Sequence, residues 1–352
     1  KLKAKAVAWL CEKTNKSILT LTESDYNENN LSELLMEKSY YDLNLDFYKR
    51  IHRSITGWPG GKPDSDEKVR PERSKPVKKR VLIFSPHPDD DVISMGGTFD
   101  RLVSQGHEVH VAYQTSGNIA VSNSDVLRYL EVINSTFPDC ECENNELIEI
   151  LKNSSDIINN LRIRKIAATI REKESLAATR FIGIPDNQVH FLKLPFYETG
   201  TIKKNIPTID DKKIISETIT KIKPHQIYAA GDLADPHGTH KVCLDILFDS
   251  LKDLKSTTFM KDCWVWLYRG AWHEWPIHEI DMAVPMSPFQ VLRKRKAIFY
   301  HETQKDNVMF QGDDNREFWV RTEDRNRAIA SKFRNIGMSD YTAIETFKRY
   351  HF

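Results

Sequence analysis

His87, Asp89, Asp90 and Asp91 stand together in one short run, Pro86-His87-Pro88-Asp89-Asp90-Asp91. An imidazole and a carboxylate three residues apart can both reach one divalent ion, and the rigid Pro88 restricts their separation. A His-plus-Asp donor set suits zinc or ferrous iron better than magnesium, which prefers all-oxygen shells. Another of the acids is then free to act as a base on water, whose pKa such an ion lowers to about 7. A capped helix N-terminus favours Asp and would explain one or two of the acids. It does not explain three acids and a histidine between prolines.

The elements that must position this run are legible on either side of it. Val81-Leu82-Ile83-Phe84 is an apolar run that reads as a buried strand, and the two prolines force a turn after it. Met95, Phe99, Leu102 and Val103 then recur at helical spacing. In open α/β sheets ligands bind beyond the carboxyl ends of the strands, which is where this cluster falls. A second strand end has the same form. The strand at 226–230 runs into Asp235-Pro236-His237-Gly238-Thr239-His240, and a helix with Val242, Leu244, Ile246 and Leu247 follows. One of these two histidines could complete a three-ligand site with His87 and Asp90, leaving a position open for water. The other could donate to a developing oxyanion.

Strands alternate with helices at the spacing of right-handed βαβ units. A strand is expected at 107–115, closed by Ser116-Gly117-Asn118 at the same sheet edge as His87. His107 and His110 fall at its start, away from the acids. A helical insertion at 121–160, a long helix at 161–183, a strand at 189–194, a helix at 212–221, a strand at 263–268 and a basic helix at 287–301 complete the reading. The fold class is α/β: a Rossmann-like three-layer sandwich with a mostly parallel sheet. Gly96-Gly97 falls inside a helix and does not make a dinucleotide fingerprint. Residues 57–80 have the Pro, Gly and charge content of a linker. The division is therefore a helical N-terminal segment, 1–75, ahead of an α/β domain, 76–352.

The 352 residues are 40% hydrophobic and 29% charged with a net charge of +1, so a packed core is expected and charge offers no general case for nucleic acid or an anionic membrane. No apolar run reaches the roughly 18 residues of a membrane span. The opening KLKAKAVAWL is too interrupted for a signal peptide, and a start on Lys1 suits a fragment or a processed chain. Cysteines at 11, 140, 142, 243 and 263 are odd in number and scattered, as in a cytoplasmic protein with reduced thiols. The expected partner is a small molecule, with no nucleic acid and no membrane; a homo-oligomer is compatible with the composition.

The two motifs together resemble those of the LmbE-like (PIG-L-like) metal-dependent N-deacetylases, whose first motif is (A/P)-H-P-D-D-(E/D) and whose second is H-x-x-H. The resemblance spans roughly residues 78–305. It implies that His87, Asp90 and His240 hold zinc (Zn2+, with Fe2+ as the other fitting ion), that Asp89 is the general base, and that His237 polarises the amide carbonyl. It assigns Arg171, in an Arg-x-x-Glu with Glu174, to substrate hydroxyls or phosphate, with Asn118 beside it. Asp91, Glu174 and Asp235 become supporting groups. Lys296 and the 301–304 run are similar to the family's C-terminal segment. Asp91 and Thr239 depart from the commoner Glu and Asp without removing a ligand.

A closer likeness is to the C-terminal half of long bacterial proteins named glucosamine-6-phosphate deaminase, in which a deaminase-like domain precedes an LmbE-like one. Residues 1–75 then correspond to the tail of the first domain, and deaminase activity is not expected of this chain. The resemblance implies removal of acetyl from an N-acetylated amino sugar or its phosphate, of the N-acetylglucosamine type. The alternative is a non-catalytic sugar-sensing domain regulating an attached deaminase. A two-metal phosphoesterase would need more bridging acids. Trp264 and Trp266 read as core, while Trp272, Trp275, His273 and His278 form a Trp-rich stretch that could line a pocket.

Overall fold

The computed structural model describes residues 2–62, 76–137, 141–153, 160–199, 203–233, 238–270, 273–305 and 316–352. Helices α1 (Leu2–Thr14), α2 (Glu23–Glu28), α3 (Glu33–Glu37) and α4 (Tyr40–Ser54) come first. They are followed by β1 (Arg80–Ser85), α5 (Asp90–Ser104), β2 (Glu108–Tyr113), α6 (Asn123–Thr136), α7 (Glu141–Asn153), α8 (Leu161–Ile182) and β3 (Val189–Phe191). The remainder is α9 (Ile209–Ile222), β4 (Gln226–Ala230), α10 (Thr239–Leu254), β5 (Trp264–Tyr268), β6 (Met282–Met286), α11 (Pro288–Phe299), α12 (Phe318–Asn335) and β7 (Ala343–Tyr350).

The strands form one sheet in the order β3-β2-β1-β4-β5-β7-β6. From β3 to β5 every pairing is parallel; β7 runs antiparallel to both β5 and β6. This is the expected mostly parallel α/β sandwich. Alternate residues of the central strands feed two apolar layers. Leu82, Phe84, Ile227 and Val265 face one, with residues of α1, α4, α9, α10 and α12. Val81, Ile83, Val111 and Tyr228 face the other, with residues of α5 and α11. Burying one such side chain contributes about 1.5–3 kcal/mol, so strand register is strongly specified by this alternation. A third cluster joins α6, α7 and α8 through Val126, Leu147, Ile163 and Ala167. Val7, Leu10, Tyr26 and Phe47 belong to the same apolar cluster as Leu82, so the core is continuous across the expected division near residue 76. Residues 63–75 lie outside the described set.

Some boundaries differ from the sequence reading. The strand expected at 189–194 is the short Val189–Phe191, and the helix expected at 212–221 extends over Ile209–Ile222 because Thr208 and Asp211 form a capping box. The sequence reading left 306–352 unassigned. β7 reads AIETFKRY, and its buried Glu345 and Thr346 mask the strand pattern. β6 contains Pro285, which an edge strand tolerates and which hides it from pattern reading. Glu345 accepts hydrogen bonds from the backbone N–H groups of Gly97 (3.0 Å) and Thr98 (2.6 Å) and from Lys294 Nζ (2.8 Å). It thereby locks α5 against the sheet, a contact close enough that a Cβ at Gly97 would lie 2.1 Å from Met286 Sδ.

Candidate metal centre

β1 and β4 are adjacent and parallel, so the loops after Ser85 and Ala230 leave the same sheet edge. β1 also separates strands that run outward in opposite chain order, which makes this edge a topological switch point. Pro86 to Pro88 close the first loop. Asp89 caps α5 with φ +110°, a left-handed conformation that costs a non-glycine residue about 1–3 kcal/mol. Ser85 Oγ stabilises the turn by donating to the His87 carbonyl (2.6 Å) and accepting from Asp91 N–H (3.1 Å).

His87, Asp90 and His240 converge, with one ligand atom of each lying within 4.8 Å of the others. Asp90 Oδ2 is 3.1 Å from His87 Nδ1 and 3.1 Å from His240 Nε2, and it accepts the His87 backbone N–H at 2.9 Å. His240 Nδ1 lies 3.0 Å from the Asp232 carbonyl oxygen, an arrangement that makes Nδ1 the donor and points Nε2 at the cluster. The rings of Tyr197 and His87 meet in a T-shaped arrangement with centroids 6.0 Å apart. Burial alone would raise the Asp90 pKa. The His240 and His87 imidazoles outweigh it and hold the carboxyl well below the usual range.

Asp89 takes a different position. Its Oδ2 lies 3.2 Å from Arg171 Nη2, with both side chains buried. Burial pushes its pKa well up, against the attraction of Arg171 and with added repulsion from Asp90, Asp91 and Glu174. Arg171 also donates to the carbonyl oxygens of Pro88 and Gly117, while its Nε is buried without a partner among the described residues. Glu172 and Glu174 are the acids nearest to it in sequence. In the structure Glu172 pairs with Lys193 at 2.8 Å, and Glu174 accepts from Thr303 N–H (2.7 Å) and Oγ1 (2.9 Å). Thr303 thus ties the 301–304 run to α8. Burial raises the Glu174 pKa.

Asp91 is fully buried, accepts from Tyr113 OH at 2.9 Å, and is pushed up to about 6 by burial. Asn118 accepts from Arg164 Nη1 at 3.0 Å. His237 and Asp235 lie outside the described residues. Sequence reasoning gave no role to Asp232, Tyr197 or Tyr113, since nothing local marks a backbone carbonyl or a buried phenol as supporting a site. His301 is buried with neither ring nitrogen bonded among the described residues, and its pKa is pushed down to about 3 by burial and then by Arg171.

Two imidazole nitrogens and a carboxylate oxygen on one locus are a zinc-type or ferrous-type donor set. The surroundings fit a cation: the Asp89 carboxyl feels the negative charges of Asp90, Asp91 and Glu174 against the positive charge of Arg171. No helix among the described residues is long and apolar enough to cross a membrane.

Comparison with known proteins bears on this geometry. Residues 82–250 match the PIG-L family, described as GlcNAc-PI de-N-acetylase. A glucosamine-6-phosphate deaminase-like protein of Bacteroides thetaiotaomicron is 49% identical over 362 residues, an alignment covering 99% of this chain and 55% of that relative. The chain therefore spans about half the length of the curated relative it matches. In fold it is similar to 4-carboxy-2-hydroxymuconate hydratase of Pseudomonas putida KT2440, with TM-score 0.50, 15% identity, and coverage of 78% of this chain and 96% of that one. N,N'-diacetylchitobiose deacetylase of Pyrococcus horikoshii aligns with TM-score 0.48 and 19% identity over 82% of this chain and 94% of that one. The family match encloses every residue of the His87, Asp90 and His240 cluster, and residues 82–250 are a PIG-L (LmbE-like) domain.

Proposed function

We propose that the domain is a metal-dependent N-deacetylase that hydrolyses the acetamide of an N-acetylated amino sugar or amino-sugar phosphate of the N-acetylglucosamine type. One observation carries the reading. His87, Asp90 and His240 converge, while a further acid, Asp89, is held beside them by Arg171. Zinc is the proposed ion, with ferrous iron as the other fitting one. Such an ion, when bound, supplies a Lewis acid and lowers the pKa of a water to about 7.

The residues of the chain divide the remaining work. Asp89 accepts the proton of the attacking water at its carboxylate and returns it to the leaving amine nitrogen. Arg171 holds that carboxylate in place, and its Nε, without a partner among the described residues, is the donor proposed for a substrate oxygen. His237, by the family resemblance, donates to the acetyl oxygen as charge develops there. By the family resemblance Asn118 is proposed to meet the substrate, and Asp91, Glu174 and Asp235 to be supporting groups. The family description names a GlcNAc lipid and the relative's name a glucosamine phosphate, and a 2-amino sugar is common to both. Residues 1–75 are assigned to the end of a deaminase-like domain.

Acetate release from a panel of N-acetylated sugars, free and phosphorylated, measured beside metal content, tests this reading. Metal-dependent release of acetate with an equal yield of free amine is expected. Sugar binding by metal-loaded protein without acetate release would turn the reading to a sensing domain.

A further inference from the structure

A cavity of about 470 Å³ lies at the end of the sheet opposite the metal cluster. Trp264 opens β5, which runs parallel to β4 and β1, so it marks the amino ends of the strands whose carboxyl ends carry His87 and His240. Its principal walls are Lys49, Arg50 and Arg53 from α4, Trp264 and Trp266 from β5, and Arg349 from β7. The volume is that of a small-molecule site.

The charges in this cavity do not cancel. Its acids are Asp46 and Asp281. Asp46 pairs with Lys38 outside the cavity; Asp281 accepts from Arg50 at 3.4 Å and from the Arg349 backbone N–H at 3.0 Å. Lys49 and Arg53, one helical turn apart, make no ion pair among the described residues. Arg349 stacks its guanidinium 3.6 Å from the Trp264 ring centroid, which fixes a positive charge at the cavity wall. The Trp266 indole N–H is buried with no acceptor among the described residues. The basic residue Arg53 in the last turn of α4 complements the helix dipole, but that does not account for Lys49 or for an indole N–H with no acceptor among the described residues.

We propose that this cavity binds the phosphate group of a small phosphorylated molecule, separately from the metal centre. Basic and aromatic residues of α4, β5 and β7 line it from several sides, which suits a tetrahedral dianion better than a planar carboxylate. The apolar floor of Trp266 and Met282 would take the body of the molecule that carries the phosphate.

The paired tryptophans are built-in reporters. The chain would be titrated by tryptophan fluorescence with glucose 6-phosphate, adenosine monophosphate, inorganic phosphate, sulfate and glucose. Saturable binding of at least one phosphate ester, at a Kd below about 1 mM, is expected, with no response to glucose. Lys49→Glu with Arg53→Glu lies on the exposed face of α4 and should weaken that binding at least about tenfold while melting temperature and metal content stay unchanged. Absence of ester binding would overturn the proposal. So would ester binding that the double variant leaves intact, which would place it elsewhere, or sulfate binding as tight as the ester, which would mark adventitious anion trapping.

Discussion

Arg171 Nη2 lies 3.2 Å from Asp89 Oδ2, and the same guanidinium donates to the carbonyl of Pro88, the residue before it. One buried side chain thus controls both the charge of Asp89 and the peptide that leads into its strained backbone. The attraction of Arg171 lowers an Asp89 pKa that burial raises. Removing the guanidinium must therefore move it further up. Arg171→Gln should shift the acid limb of kcat/KM to higher pH by about one unit or more, because a base works only when deprotonated. Metal content should persist. A pH–rate profile with an unmoved acid limb would separate Arg171 from the base.

Asp89→Asn should keep the metal and lose about 10²–10⁴ in kcat. A comparison of Asp89→Gly with Asp89→Ala isolates the backbone. Both lack the carboxylate, but only glycine relaxes at φ +110°. The Gly variant should be more stable by about 1 kcal/mol in urea unfolding. Equal stabilities would show that the conformation carries no strain.

Asp90 contacts both imidazoles of the cluster. Zinc added to metal-free protein at about 100 times its Kd should stabilise the fold by about 2.7 kcal/mol. That gain should vanish in Asp90→Asn, whose affinity is expected to fall by more than about 100-fold. Calorimetric melts with and without zinc check this, and a variant that keeps the full zinc shift would remove Asp90 from the ligand set.

Glu274 offers a pH test away from the metal. Burial, partly countered by Lys294, pushes its pKa from 4.5 up to about 7, and its Oε1 has no partner among the described residues. The folded state therefore prefers the protonated acid. Its contribution to stability is fully present below 4.5 and is lost as pH rises through about 7. The loss is on the order of 3 kcal/mol at most. Glu274→Gln should match the wild type in urea unfolding near pH 4.5 and exceed it near pH 8. Parallel stability curves for the two proteins would contradict the shift.

His87 and Asp90 are legible without coordinates because their constraints are local: an apolar run, two prolines and a spacing of three. The expectation that His240 joins them rested on the equivalence of two strand ends and on family resemblance. The three side chains converge because β1 and β4 pair directly in parallel, which puts both strand ends at one edge. β6 and β7 escaped because Pro285 and the buried Glu345 break the patterns that reveal strands. The partner of Arg171 was equally hidden. Along the sequence Glu172 and Glu174 are nearest, yet the fold of α8 against the β1 loop delivers the guanidinium to Asp89. The same holds for the Asp232 carbonyl behind His240, the Tyr113 hydroxyl on Asp91, and the cavity that α4, β5 and β7 enclose. Donor chemistry is a property of residue types and short spacing. Which donor meets which acceptor depends on long-range packing, and packing decides it only when the sheet order and helix faces are in place.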